Sequence, residues 1–166
     1  MTNTASSTHQ HAMVTRDGKQ LVITRSFAAP AALVYEAMTN PDHIRQWWGA
    51  GHGEVTTCEV DLRVGGRWHF AMVTPGGDEV SFSGEYQELD PPHRIVHTEV
   101  FDTIQSPPSR VESSYTEQDG FTTLRAVITY DSSETVDMVL ASGMEGGLND
   151  SYDALEQLVT RPAQRA

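Results

Sequence analysis

A change of hydrophobic period part-way along the chain limits its fold more than any other feature. From residue 54 to about residue 130, apolar side chains recur at every second position. Cys58, Val60 and Leu62 share one strand face, as do Trp68, Phe70 and Met72. Val80, Phe82, Gly84 and Tyr86 share another, and so do Leu124, Ala126, Ile128 and Tyr130. Alternation of this kind is the signature of strands with one buried face. The period then changes to three- and four-residue steps through Met144, Leu148, Tyr152, Leu155 and Val159, which predicts one helix over 144–160. That helix must bury its stripe, and the only large apolar surface the chain offers is the inner face of the sheet.

Glycine, proline and asparagine punctuate the rest. Residues 19–27 read as a first strand. Pro30 opens a helix carrying Leu33, Val34, Ala37 and Met38. Asn40 then caps a second short helix with Pro41 in its first turn and Ile44, Trp47 and Trp48 on its apolar face. Gly65-Gly66 reads as a two-residue hairpin turn, and Asp119-Gly120 as the turn between strands 111–117 and 121–130. Residues 93–101 form another strand, and 102–110 an irregular loop. Residues 1–18 are polar and aperiodic and read as a flexible tail ahead of a single domain over 19–162. The expected fold class is α+β. A curved antiparallel sheet of about six to seven strands wraps a long C-terminal helix, with two short helices after the first strand.

Charge narrows the partners. The 166 residues include 23 acidic and 11 basic side chains, a formal charge of −12. Such a surface repels nucleic-acid backbones and anionic lipid, so neither nucleic acid nor membrane is an expected partner. No run of 18 apolar residues exists to span a bilayer. The N-terminal segment lacks the basic and apolar regions of a signal peptide, so a cytoplasmic setting is expected.

Several motifs offer chemistry and are weak in context. Gly49-Ala50-Gly51-His52-Gly53 follows a helix and precedes a strand, the reverse of a phosphate-binding loop, and reads as a connector. His52-Gly53-Glu54 matches half of a zinc deaminase signature, but the thiolate half is missing from a chain with one cysteine. His93 and His97 share a strand face about 13 Å apart, too far for a common metal. No metal and no cofactor are expected. Cys58 has the parity of core residues and no neighbouring base, so it reads as a packing residue.

Two constellations remain. Trp48, Trp68, Phe70, Met72, Phe82, Tyr86 and Tyr152 are large residues on the expected inner surface. They form either ordinary core or the wall of a ligand cavity. Glu99 and His97 lie with Ile95 and Phe101 on one parity of their strand, opposite Val96, Thr98 and Val100. Either parity can face inward. An inward carboxylate beside an imidazole is the arrangement that makes an acid–base pair, because an apolar pocket disfavours the charged carboxylate.

Four segments carry a resemblance. APAALVYEAMTNPDHIRQWWG, EVDLRVGGRWHF, GEYQELDPPHRIVHTEVF and SGMEGGLNDSYDALEQLV occur in series between residues 28 and 159. Together they resemble the AHSA1-like branch (activator of Hsp90 ATPase homologue) of the SRPBCC, or START-like, superfamily. The resemblance implies the helix-grip fold, with a cavity between sheet and helix. The expected function is binding of a hydrophobic or aromatic small molecule in that cavity. The alternatives are a cyclase- or hydrolase-like enzyme using Glu99 and His97, or a co-chaperone-type module with a chaperone partner. A homodimer is compatible with the sequence, since two-fold dimers are common among soluble chains.

Overall fold

The computed structural model describes residues 11–102 and 107–161. Eight strands and four helices follow in the order β1 (Met13–Asp17), β2 (Gln20–Phe27), α1 (Ala31–Thr39), α2 (Pro41–Trp47), β3 (Glu54–Val60), β4 (Arg67–Val73), β5 (Glu79–Asp90), β6 (Arg94–Phe101), β7 (Ser109–Gln118), β8 (Phe121–Thr129), α3 (Ser133–Ala141) and α4 (Met144–Thr160). The strands form one antiparallel sheet, β1-β2-β8-β7-β6-β5-β4-β3. The α1–α2 pair carries the chain from β2 to the far edge at β3. With α4 laid against the inner face, this is the expected α+β helix-grip architecture.

Local chemistry accounts for most boundaries. Asn40 accepts a hydrogen bond from the Asp42 amide at 2.9 Å and Pro41 follows it, so α2 begins where the sequence indicated. The β7–β8 turn has positive φ at Asp119 and Gly120, and Gln118 pairs with Phe121, the two-residue hairpin read from the sequence. On α4, Tyr152, Leu155 and Val159 are buried and Leu155 is fully enclosed.

Three readings change. Met13–Asp17, placed in the expected tail, is a strand paired with β2 from Met13↔Thr24 to Asp17↔Gln20. Backbone pairing holds it in place despite its polar side chains, and Gly18 at φ +61° makes the turn. Residues 1–10 of that tail lie outside the described residues, as do 103–106 of the loop and 162, the last residue of the expected domain.

Gly65-Gly66 is not a two-residue hairpin turn. Val60 pairs with Trp68, and residues 61–66 connect the strands. Gly65 donates to the Tyr86 carbonyl at 2.8 Å, and the Tyr86 amide donates to Gly66 at 2.9 Å, so the loop is tied to β5 instead. Gly66 is required because a Cβ there would sit 2.0 Å from the Asp61 carbonyl oxygen. Leu62 accordingly leaves the inner face and is exposed. The third change is α3 (Ser133–Ala141), a segment for which the sequence pattern predicts no element. Ser132 caps it by accepting from the Thr135 amide at 3.2 Å, and its buried Val136 and Val139 pack with Leu21.

Candidate functional site: a cavity between sheet and C-terminal helix

The curved sheet and α4 do not close on each other completely. Between them lies a cavity of about 590 Å³. Its sheet wall is built by period two: Trp68, Phe70 and Met72 from β4, Val80, Phe82 and Tyr86 from β5, and Leu124, Ala126 and Ile128 from β8. Met144, Gly147, Leu148, Ser151 and Tyr152 of α4 form the opposite wall. Trp47, Trp48, Gly49 and His52 cover one end. All seven residues singled out as a cavity wall, Trp48, Trp68, Phe70, Met72, Phe82, Tyr86 and Tyr152, border this space.

Ring geometry orders the wall. Trp48 meets Phe70 and Phe82 edge-on at 5.6 and 5.9 Å between centroids. Phe82 stacks on Phe101 at 4.5 Å. Trp68 lies 4.9 Å from Phe70 and meets His97 edge-on at 5.4 Å. The Trp68 indole N–H has no hydrogen-bond partner. It lies over Gly84, where a Cβ would come within 2.8 Å of it and 1.8 Å of the Thr98 carbonyl oxygen. Glycine at 84 is therefore what allows β6 and the indole to approach β5 this closely.

The connector after α2 is shaped by packing. A Cβ at Gly49 would lie 2.6 Å from the Met72 sulfur, and one at Gly53 would lie 2.6 Å from the Val73 carbonyl oxygen. The Gly49 amide donates to Ser151 Oγ at 3.0 Å, and His52 Nε2 lies 2.7 Å from Asp150 Oδ2. Both contacts tie the connector to α4. Gly49 and Gly53 are thus accounted for by close approach to β4, and Gly51 by its φ of +81°, as a connector requires.

Strand β6 resolves the parity left open by its sequence. Ile95, His97, Glu99 and Phe101 face the cavity. His97 Nε2 is 3.9 Å from Glu99 Oε1, and His97 Nδ1 is buried without a partner. Both side chains keep some solvent contact, at 20% and 28% exposure. The Glu99 charge reaches two phenols. Burial first, then this carboxylate, pushes the ionisation of Tyr130 and Tyr152 far above the ordinary tyrosine range. Tyr86 is pushed up as well, chiefly by burial.

Cys58 is buried, outside the cavity wall, and its thiol is shifted upward chiefly by burial. A packed, protonated thiol fits the structural role read from sequence. Among the described residues, no three histidine, cysteine or acidic side chains gather as a metal site. No helix among them is long and apolar enough to cross a membrane.

Sequence reasoning missed Tyr115 and Ser113, which join the wall from β7. Their signal was the Asp119-Gly120 turn, which sets Tyr115 opposite Leu124 and so on the inner face. It also missed Arg25. This arginine is 4% exposed beneath α4, with Nη1 and Nη2 each 3.0 Å from a carboxylate, of Asp153 and Glu156 respectively. Those acids are three apart on one helix face, and nothing local to Arg25 announces them.

Residues 28–160 match the family model described as activator of Hsp90 ATPase homolog 1-like protein. The chain belongs to that family. Its fold recurs in solved structures. A Mycobacterium smegmatis protein, Ms6760, is 29% identical, with a TM-score of 0.81 over 90% of this chain and 98% of its own. A Rhodobacter sphaeroides protein is 24% identical, with a TM-score of 0.84 over 90% and 98%. An Arthrobacter aurescens protein is 19% identical, with a TM-score of 0.79 over 91% and 92%. At these identities the last two show the fold alone. No curated protein matches the chain.

Proposed function

We propose that this family member binds a hydrophobic or aromatic small molecule in the cavity between the sheet and α4, in a cytoplasmic setting. The observation that supports this is the cavity itself. Its volume of about 590 Å³ suits a compact organic ligand, and its wall is mostly aromatic and aliphatic with a few polar groups. A side-chain-filled interior would have left no such space.

The test uses 2-naphthylmethanol, an uncharged aromatic probe. It should raise the melting temperature, because it binds only the folded state, and change the tryptophan fluorescence, because all three tryptophans border the cavity. Trp68→Ala should weaken binding. No thermal shift across a panel of aromatic compounds, neutral, cationic and anionic, would overturn the proposal and leave a co-chaperone-type role, exercised through the surface.

A second reading keeps the same cavity and adds acid–base catalysis. The inward placement of His97 and Glu99, 3.9 Å apart, favours it. Its test is the bound compound itself: recovery of a chemically altered compound, lost in Glu99→Gln, supports turnover, and recovery unchanged supports binding alone.

A further inference from the structure

Charge is distributed unevenly around the cavity. Among the described residues, no lysine or arginine borders it, and Glu99 is its one carboxylate. Elsewhere two arginines each hold a pair of acids. Arg25 is held by Asp153 and Glu156 at 3.0 Å, and Arg94 by Glu88 and Glu112 at 3.0 and 3.2 Å. Glu99 has only His97, at 3.9 Å, beyond hydrogen-bond distance. Its carboxylate therefore faces the cavity with its hydrogen-bonding capacity unused by the protein.

The surroundings favour positive charge over negative. The faces of Trp48, Trp68, Phe70 and Phe82 carry the negative side of the ring quadrupole, which attracts an ammonium. Glu99 is also close enough to the Tyr130 and Tyr152 phenols to oppose their ionisation. Arg25 does not border the cavity and is already neutralised by its two acids. A chain charge of −12 adds a long-range field of the same sign.

We propose that the cavity selects cationic aromatic compounds: an aromatic or fused-ring body against the tryptophan and phenylalanine wall, and one protonated amine on the Glu99 carboxylate. This rests on the cavity-binding reading above and names its ligand class. A carboxylate ligand would meet Glu99 with like charge and find no lysine or arginine among the described residues of the wall.

Three probes of one shape test it: 2-naphthylmethylamine, 2-naphthylmethanol and 2-naphthoate, titrated by calorimetry into the full chain at neutral pH and low salt. The amine should bind roughly tenfold more tightly than the alcohol, as a charge-assisted hydrogen bond in a partly dry site allows. The naphthoate should bind most weakly. In Glu99→Gln the amine-to-alcohol ratio should fall to about one, whereas Glu145→Gln, a change outside the wall, should keep it. Circular dichroism checks that each variant is folded, and the parent's own ranking stands whether or not Glu99→Gln folds. Equal binding of amine and alcohol, a preference for naphthoate, or an amine preference that survives in folded Glu99→Gln overturns the cationic class and leaves the cavity reading intact. Failure of all three to bind overturns both.

Discussion

Gly147 sits on the cavity side of α4, and a Cβ built there meets no atom within 4 Å. Glycine inside a helix costs about 1 kcal/mol relative to a good helix former. Gly147→Leu recovers that amount and places an apolar side chain in the cavity. Full burial of leucine contributes about 1.5–3 kcal/mol. Half of that is a fair figure for a space that stays partly open, less about 0.5–1 kcal/mol of side-chain entropy. The net gain is about 1–2 kcal/mol, a rise of roughly 2–8 °C for a domain of this size. The same side chain takes space from a ligand. Affinity for 2-naphthylmethanol should fall in the order Gly147, Gly147→Leu, Gly147→Trp, while the leucine variant melts higher than the parent. Differential scanning fluorimetry and calorimetric titration of the three proteins give both quantities. A lower melting temperature for Gly147→Leu would show that the position is packed. Unchanged affinity across the series would show that binding occurs elsewhere. Either result refutes the reasoning.

Leu155→Asp should cost several kcal/mol in urea denaturation, since it buries an unpaired charge at a fully enclosed position on α4; a parent-like midpoint would contradict the helix placement. Arg25→Ala should destabilise by about 2–4 kcal/mol through the loss of two charge-assisted hydrogen bonds and a buried stem, and Arg25→Met by clearly less, because methionine keeps the packing and buries no charge. Alkaline pH should unfold the chain through its tyrosines. Burial, aided by the Asp90 charge, raises Tyr35 to about 12, and burial also holds Tyr86, Tyr115, Tyr130 and Tyr152 well above the ordinary tyrosine range. In the unfolded chain these phenols ionise near 10, so between about 10 and 12 the folded state holds more protons and stability falls as pH rises. Absorbance at about 295 nm should therefore show little phenolate until the protein unfolds, and appreciable ionisation near pH 10 in the folded state would contradict the burial.

The parts of the fold legible in the sequence are those in which local pattern and tertiary packing agree. The 144–160 helix needed only its own stripe, and Asn40-Pro41 and Asp119-Gly120 carry their geometry in the residues themselves. Strand β1 was hidden because it has little apolar alternation and is held by pairing with β2. Gly65-Gly66 misled because its partner is β5, twenty residues on, a contact the local sequence does not encode. The strand part of the aromatic wall followed from parity alone, and Trp48 and Tyr152 from helical spacing. The direction of Glu99 did not, since both parities of β6 carry apolar residues, and the register against β5 and β7 decides between them. Arg25 lay furthest from reach, because its partners are 128 and 131 residues away.

The location of a bound probe tests the central claim most directly. Intermolecular nuclear Overhauser effects between 2-naphthylmethanol and the methyl groups of the protein report it without reference to stability. The cavity account predicts contacts from the naphthalene protons to the methyls of Ile128, Met144 and Leu148, which border the space from the sheet and from α4. Contacts confined to Met13, Leu62, Val64, Met138 and Leu140, exposed methyl-bearing residues, would place the probe on the surface and contradict it.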